Sequence, residues 1–263
     1  MIRPALPSWL MVPAVFAVVF LAVPLVAMLG RVEWLRLPSL LSSPAALDAL
    51  SLSLRTCVAS TVLCLVLGLP LALVLSRARG RWATAGRILA SLPMVLPPVV
   101  AGLALLVALG RRAWLGRQLS VLGMDLAFTT AAVIVAQTFV AMPYLVVSVE
   151  GALRSAQEQY EVVAATLGAS PTTVLRRVIL PLAAPAIASG TALAFARALG
   201  EFGATLTFAG SLQGTTRTLP LEIYLARESD TDSAIALSVV LLVIAAGLIA
   251  VTSVFGRVRG TTS

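Results

Sequence analysis

Charged residues divide the chain into six uncharged runs, 4–30, 56–76, 88–110, 126–149, 178–196 and 233–256. A helix rises 1.5 Å per residue, so about 20 apolar residues cross a hydrocarbon core about 30 Å thick, and each run reaches that length or falls a residue or two short of it. The runs are continuous and do not break into segments of about ten alternating residues, as barrel strands would, so the backbone satisfies its own hydrogen bonds as helices. The predicted fold class is an all-α integral membrane protein of about six transmembrane helices. The expected spans are 8–30, 52–76, 88–110, 128–150, 184–209 and 233–256, within a single domain covering 1–263.

Arg3 followed by an apolar stretch has the outline of a signal peptide. The stretch is longer than an h-region of about 7 to 15 residues and no small-x-small cleavage site follows it, so we expect a retained first helix. Composition agrees with the pattern. Hydrophobic residues make up 59% of the chain, charged residues 11%, and the mean hydropathy is +1.01, well away from the apolar half and charged quarter of a soluble domain.

The net charge is +8 and all nineteen basic residues are arginines. They are scattered through the connections between runs with no aromatic-interleaved basic cluster, which fits anchoring at a lipid surface and not nucleic-acid binding. With the N-terminus inside, the inner segments hold ten arginines (Arg3, Arg77, Arg79, Arg81, Arg87, Arg154, Arg176, Arg177, Arg257, Arg259). The outer segments hold seven (Arg31, Arg36, Arg111, Arg112, Arg117, Arg217, Arg227). The excess is small, but it lies on the cytoplasmic side. The expectation is a multi-pass protein of the cell membrane with both termini in the cytoplasm.

The absence of lysine removes the phosphate-cradling GxxxxGK[ST] loop, so this chain is not itself a P-loop ATPase. The absence of histidine, with only two cysteines, removes the usual residues for zinc and for imidazole acid–base work. Cys57 and Cys64 are seven apart on one helix, about 10 Å along its axis, too far for a disulfide. They read as small packing residues. No metal site and no catalytic dyad can be assembled, so an intramembrane enzyme is disfavoured. A gradient-driven carrier would show internal repeats and ionisable groups deep in several helices, and deep charge is found in only one.

One polar interruption has internal order: "YEVVAATLGASPTTVLRRVILP", residues 160–181. A helix continuing from the fourth run through Leu167 would close at Gly168 in the left-handed conformation. Ser170 is a helix-capping hydroxyl and Pro171 a first-turn residue whose missing N–H costs nothing. A second short helix, "TTVLRRVI", follows before Pro181 leads into the next span. The knuckle offers Val174, Leu175 and Val178 as an apolar patch, with Arg176 and Arg177 at its negative dipole end.

The order Glu161, Ala164, Gly168, then Val178-Ile179-Leu180-Pro181 resembles the EAA loop of ATP-binding-cassette importer permeases. It departs from that pattern in having Val162 and Val163 where alanines are usual, and Val178 for isoleucine. "LPMVLPPVVAGLALL" (92–106) resembles the third-helix start of oxyanion permeases. "ALGEFGATLTFAGSLQGTTRTLPLEIY" (198–224) looks like the matching segment of molybdate permeases, with sulfate permeases related. The resemblance covers nearly the whole chain and implies the type I importer permease fold. It implies a homodimer beneath an extracytoplasmic oxyanion-binding protein and above two cytoplasmic ATPase subunits, which bind the ATP and Mg; no cofactor is implied in this chain. The coupling loop, 151–183, would seat on the ATPase through Tyr160, Glu161, Ala164, Ala165, Gly168, Ala169, Ser170, Pro171 and Val174. The implied cargo is molybdate, with tungstate and sulfate as alternatives.

Independently of any family, Arg197 and Glu201 sit in a long apolar segment from about Pro185 to Ala209. Four apart, they share a helical face. They lie beyond the midplane, where an isolated charge costs at least ~2.5 kcal/mol. They read either as a buried structural pair or as part of a translocation pathway with Gly200, Gly203, Thr205 and Thr207. A free carboxylate there would repel a dianion, whereas a neutralised one would not. The glycines and threonines are the better lining. Pro97 and Pro98 would border the gate, while Pro24, Pro70, Pro93 and Pro143 read as kinks. Arg217 is either an attractor for the anion or a solvated loop charge.

Overall fold

Ser43 and Pro44 set the start of the second span earlier than the uncharged run indicates. The Ser43 hydroxyl accepts from the Ala46 amide at 3.3 Å and Pro44 takes the first turn, so the helix runs Pro44–Arg77 and includes Asp48 and Arg55. In the computed structural model, which describes residues 7–123, 125–155, 163–164 and 166–260, the chain is a helical bundle. We label its elements α1 (Ser8–Gly30), α2 (Leu37–Leu41), α3 (Pro44–Arg77), α4 (Arg81–Val95), α5 (Pro98–Leu109), α6 (Trp114–Val121), α7 (Thr130–Ser155), α8 (Pro171–Leu199), α9 (Gly203–Ala209), α10 (Leu219–Ser229) and α11 (Thr231–Gly260). Long apolar helices cross at α1, α3, α7, α8 and α11, and the bent pair α4–α5 completes a sixth candidate span.

Two further expected spans, and the knuckle, differ from the structure for identifiable reasons. The run 88–110 is not one straight helix: α4 and α5 meet at 117°. A residue preceding proline is pushed out of the helical region. Because Pro97 and Pro98 are consecutive, both Leu96 (ψ 133°) and Pro97 (ψ 135°) become extended. The expected span 184–209 is broken at residues 200–202, where α8 ends and α9 begins. The knuckle's second helix is not separate, because α8 runs unbroken from Pro171 through Pro181 to Leu199.

Pro70 and Pro181 are tolerated in the same way. Each follows a π turn by two residues, Cys64–Gly68 in α3 and Leu175–Ile179 in α8. Proline lacks an N–H and its ring collides with the carbonyl four residues back. Within the wider turn the Leu180 amide reaches the Leu175 carbonyl, five residues back, the kind of local adjustment that lets a helix continue past a proline.

The core forms around α7. On one side Leu145, Val146 and Val149 meet Cys57, Cys64 and Leu75 of α3 and Ala194, Ala198 and Leu199 of α8. On the other, Val133, Ala136 and Val140 meet Ala101 and Leu105 of α5 and Phe208 of α9. Small residues set the spacing, as expected where association is driven by close van der Waals fit. A Cβ on Gly190 would meet Leu145 and the Ser148 Cβ at 3.1 Å. Both cysteines are free and fully buried, in the packing role their spacing indicates. In contrast, α1 contributes no buried residue.

Candidate functional site

The turn within the knuckle, from Ala164 to Thr173, forms as its local signals require. Gly168 has φ +81°, and the Ala169 amide reaches back to the Ala164 carbonyl at 3.1 Å, the long bond of a glycine-closed helix end. The Ser170 hydroxyl accepts from the Thr173 amide at 3.3 Å and Pro171 occupies the first turn. Tyr160, Glu161 and Ala165 lie outside the described residues. Ala164 and Ala169 are half-buried; Gly168, Ser170 and Pro171 are exposed.

The apolar patch differs from the expected one. Val174 is buried within the chain at 8% exposure and Leu175 and Val178 are half-buried, because α8 continues through this segment and turns them inward. The exposed apolar surface is instead Leu167, at 82%, and Val163, at 57%. These stand one turn apart on the face before the glycine.

At the other end of α8, the Arg197–Glu201 pair forms, but not within one helix. Arg197 lies in the last turn of α8, Gly200 terminates it, and Glu201 stands in the break. Glu201 Oε2 is 2.7 Å from Arg197 Nη2, while Oε1 accepts from the Ala204 amide at 2.8 Å. One carboxylate that is 1% exposed therefore neutralises a guanidinium and accepts from one first-turn amide of α9, that of Ala204. α9 is only seven residues long and is fixed from the opposite side by α5. A Cβ on Gly203 would lie 2.8 Å from the Pro98 Cβ, and one on Gly102 would lie 2.7 Å from the Ala204 carbonyl oxygen.

Of the residues considered for the pathway, Gly203 and Thr205 face inward, with Thr205 fully buried; Gly200, Pro97 and Pro98 are exposed; Arg197 and Thr207 are half-buried. The Thr207 hydroxyl donates to the Gly203 carbonyl at 2.8 Å. A cavity of about 390 Å³ opens beside the break, where the Phe202 and Tyr224 rings pack tilted at 49° with centroids 5.1 Å apart and the Arg227 guanidinium lies 5.5 Å from the Tyr224 ring. Arg217 is paired and only partly exposed. It is half-buried, with Nη1 3.3 Å from Glu222 Oε2 and Nε donating to the Ser211 hydroxyl at 3.3 Å.

One cluster escapes sequence reasoning. Arg87 on α4 donates through Nε to Glu150 Oε1 on α7, and through Nη2 to the Leu75 and Ala78 carbonyls at 2.7 and 3.0 Å. In the sequence each is merely the charge that bounds an apolar run, and 63 residues separate them.

Bent and broken helices thus surround α7, and a glycine-closed, serine-capped turn leads into α8. The chain matches the family described as binding-protein-dependent transport system inner membrane component over residues 65–258, and it belongs to that family. It is thus a permease component of the ABC transporter class. It is 60% identical over 241 residues to the molybdenum transport system permease protein ModB of Mycobacterium tuberculosis, covering 92% of this chain and 91% of that protein. It is 39% identical to a probable molybdenum ABC transporter permease of Haloferax volcanii, over 82% of this chain and 77% of the other. Among solved structures, a bacterial alginate ABC transporter in complex with its alginate pentasaccharide-bound periplasmic protein aligns with a TM-score of 0.75 at 17% identity, over 97% of this chain and 94% of that one. The MetNI methionine transporter in an inward-facing form aligns at 0.61 and 17%, over 81% and 94%. At such identities the likeness establishes the fold.

Proposed function

We propose that this chain is the membrane-spanning subunit of an ATP-driven importer for molybdate, working as a homodimer. The cargo rests on extended identity to molybdenum permeases from a bacterium and an archaeon. Tungstate and sulfate remain the chemical neighbours, since all are tetrahedral dianions. Dependence on an external binding protein follows from the family's description. A tight dianion site within the path would slow release, so recognition belongs outside and the permease supplies a polar, weakly binding route. Gly200, Thr207 and the Pro97–Pro98 bend border that route, while Arg197 and Glu201 hold its shape.

ATP is hydrolysed by two cytoplasmic subunits, because this chain has no lysine for a phosphate loop. With 151–183 inside, both termini are cytoplasmic. The observation that carries the mechanism is the elbow: a left-handed glycine and a serine cap form the turn into α8, and Leu167 and Val163 before it are exposed. The elbow docks on the ATPase, and closure of the ATPase pair moves the two elbows together, tilting α7 and α8 to alternate access. Replacing Gly168 by valine forces a β-branched residue to φ +81°. In proteoliposomes the Gly168→Val transporter hydrolyses ATP without proportionate uptake of molybdate; normal uptake and normal stimulated hydrolysis would remove the elbow from the mechanism.

A further inference from the structure

Glu150 is 8% exposed and stands in the last turns of α7, just before the elbow. Its Oε1 receives Arg87 Nε and lies 3.7 Å from Arg154 Nη1. The other arm of the Arg87 guanidinium holds the carbonyls of Leu75, in the last turn of α3, and of Ala78, just beyond it. One planar fork therefore fastens three helices: α3 at its C-terminus, α4 on which Arg87 sits, and α7 through Glu150. Only arginine has the donor geometry for this; a lysine is a point charge that would serve one acceptor set at a time. The corner is also sterically close, since a Cβ on Gly86 would approach Leu75 Cδ2 to 2.9 Å. Beside the fork lies a shallow, open cleft lined by Arg87, Ser91, Glu150 and Arg154.

What lies beyond the corner gives it consequence. α4 runs from Arg87 to the 117° bend, and α5 on the far side of the bend presses on α9 at Gly102 and through Pro98 on Gly203. We propose that Glu150 and Arg87 are positioning residues for transport: they transmit movement of α7 at the elbow to the α4–α5 bend that borders the pathway. This rests on the elbow being the point of ATPase contact. Without the pair, α7 can move while α4 stays behind, so hydrolysis continues and the gate does not follow. A purely structural pair would, on removal, lower folded protein and therefore lower uptake and hydrolysis together.

The experiment is to reconstitute the full transporter with its ATPase and binding protein, and to measure molybdate taken up per ATP hydrolysed. Glu150→Gln keeps an acceptor but removes the charge, and Arg87→Lys keeps the charge but removes the fork. Both are expected to retain the ATPase on co-purification and to lower the anion-to-ATP ratio roughly tenfold or more, the scale of a lost charge-assisted hydrogen bond. An unchanged ratio, or a proportional loss of uptake and hydrolysis in both variants, would overturn the proposal. Leu167→Asp, run in parallel, isolates the premise: loss of the ATPase on co-purification supports the elbow as its seat, and full retention would sink that premise whatever the ratios show.

Discussion

Gly102→Ala perturbs the contact that holds the short α9 in place, and its size follows from geometry. The added Cβ would stand 2.7 Å from the Ala204 carbonyl oxygen, 2.7 Å from the Thr207 Cβ and 2.9 Å from the Ala204 Cα. Two of these are backbone atoms and the third is a branched Cβ, so no rotamer change relieves them. Ordinary contact begins at 3.4 Å, so α5 and α9 must separate by about 0.7 Å. Overfilling a close-packed contact costs about 1–3 kcal/mol. For a chain of this size each kcal/mol moves the melting temperature about 2–4 °C, giving a fall of roughly 2–12 °C. Gly247→Ala is the matched control, because nothing lies within 4 Å of its Cβ and alanine is the better helix former. The assay is thermal unfolding of detergent-solubilised protein followed by tryptophan fluorescence, with molybdate uptake measured alongside. A Gly102→Ala protein that melts and transports like the parent would refute the claim that α9 is positioned by this contact.

Two further predictions concern charge. Glu201→Gln retains an acceptor for the Ala204 amide but leaves Arg197, 24% exposed, without its counter-charge; the expected loss is about 3 kcal/mol, at the low end for a broken buried pair, and a second substitution Arg197→Gln recovers much of it in a double-mutant cycle. Asp230 caps α11, accepting from the Ser233 hydroxyl at 2.6 Å and from the Ser233 and Asp232 amides. The Ser233 hydroxyl and amide hold its carboxyl below the usual range. A lowered folded-state pKa means that the cap stabilises above the unfolded value, about 3.9, and is lost as pH falls through the folded one. Amide protection at Asp232 and Ser233 should therefore persist at pH 5 and decline only in stronger acid, and Asp230→Asn should remove that pH dependence.

The approximate places of the spans and the turn of the elbow were legible because each rests on local signals: uncharged length, Gly168, Ser170 and Pro171. The direction of the chain at Leu96–Pro97 was not, because consecutive prolines mark a break without specifying its angle, which contact with α9 decides. The end of α8 was hidden in a run that stays apolar to Ala209, although Gly200 and Gly203 were the available signal. Spacing predicted that Arg197 and Glu201 would pair, but the second duty of Glu201 as a cap depends on α9 starting where it does. The apolar patch was misplaced because Pro181 suggests a helix end, and the π turn at Leu175–Ile179 cancels it. The Arg87–Glu150 fork joins residues 63 apart and leaves no trace in local pattern.

The central claim, that the ATPase acts on this chain through the elbow, is tested most directly by thiol accessibility. Cys57 and Cys64 are fully buried, so a cysteine placed by Leu167→Cys, at a position 82% exposed in the chain alone, reports on its own surroundings. Labelling with a membrane-impermeant maleimide in inside-out vesicles should be rapid without the ATPase subunits. With them bound it should slow roughly tenfold or more, as expected for a side chain buried in a desolvated interface. Equal labelling rates with and without the ATPase, through every nucleotide state, would contradict the account.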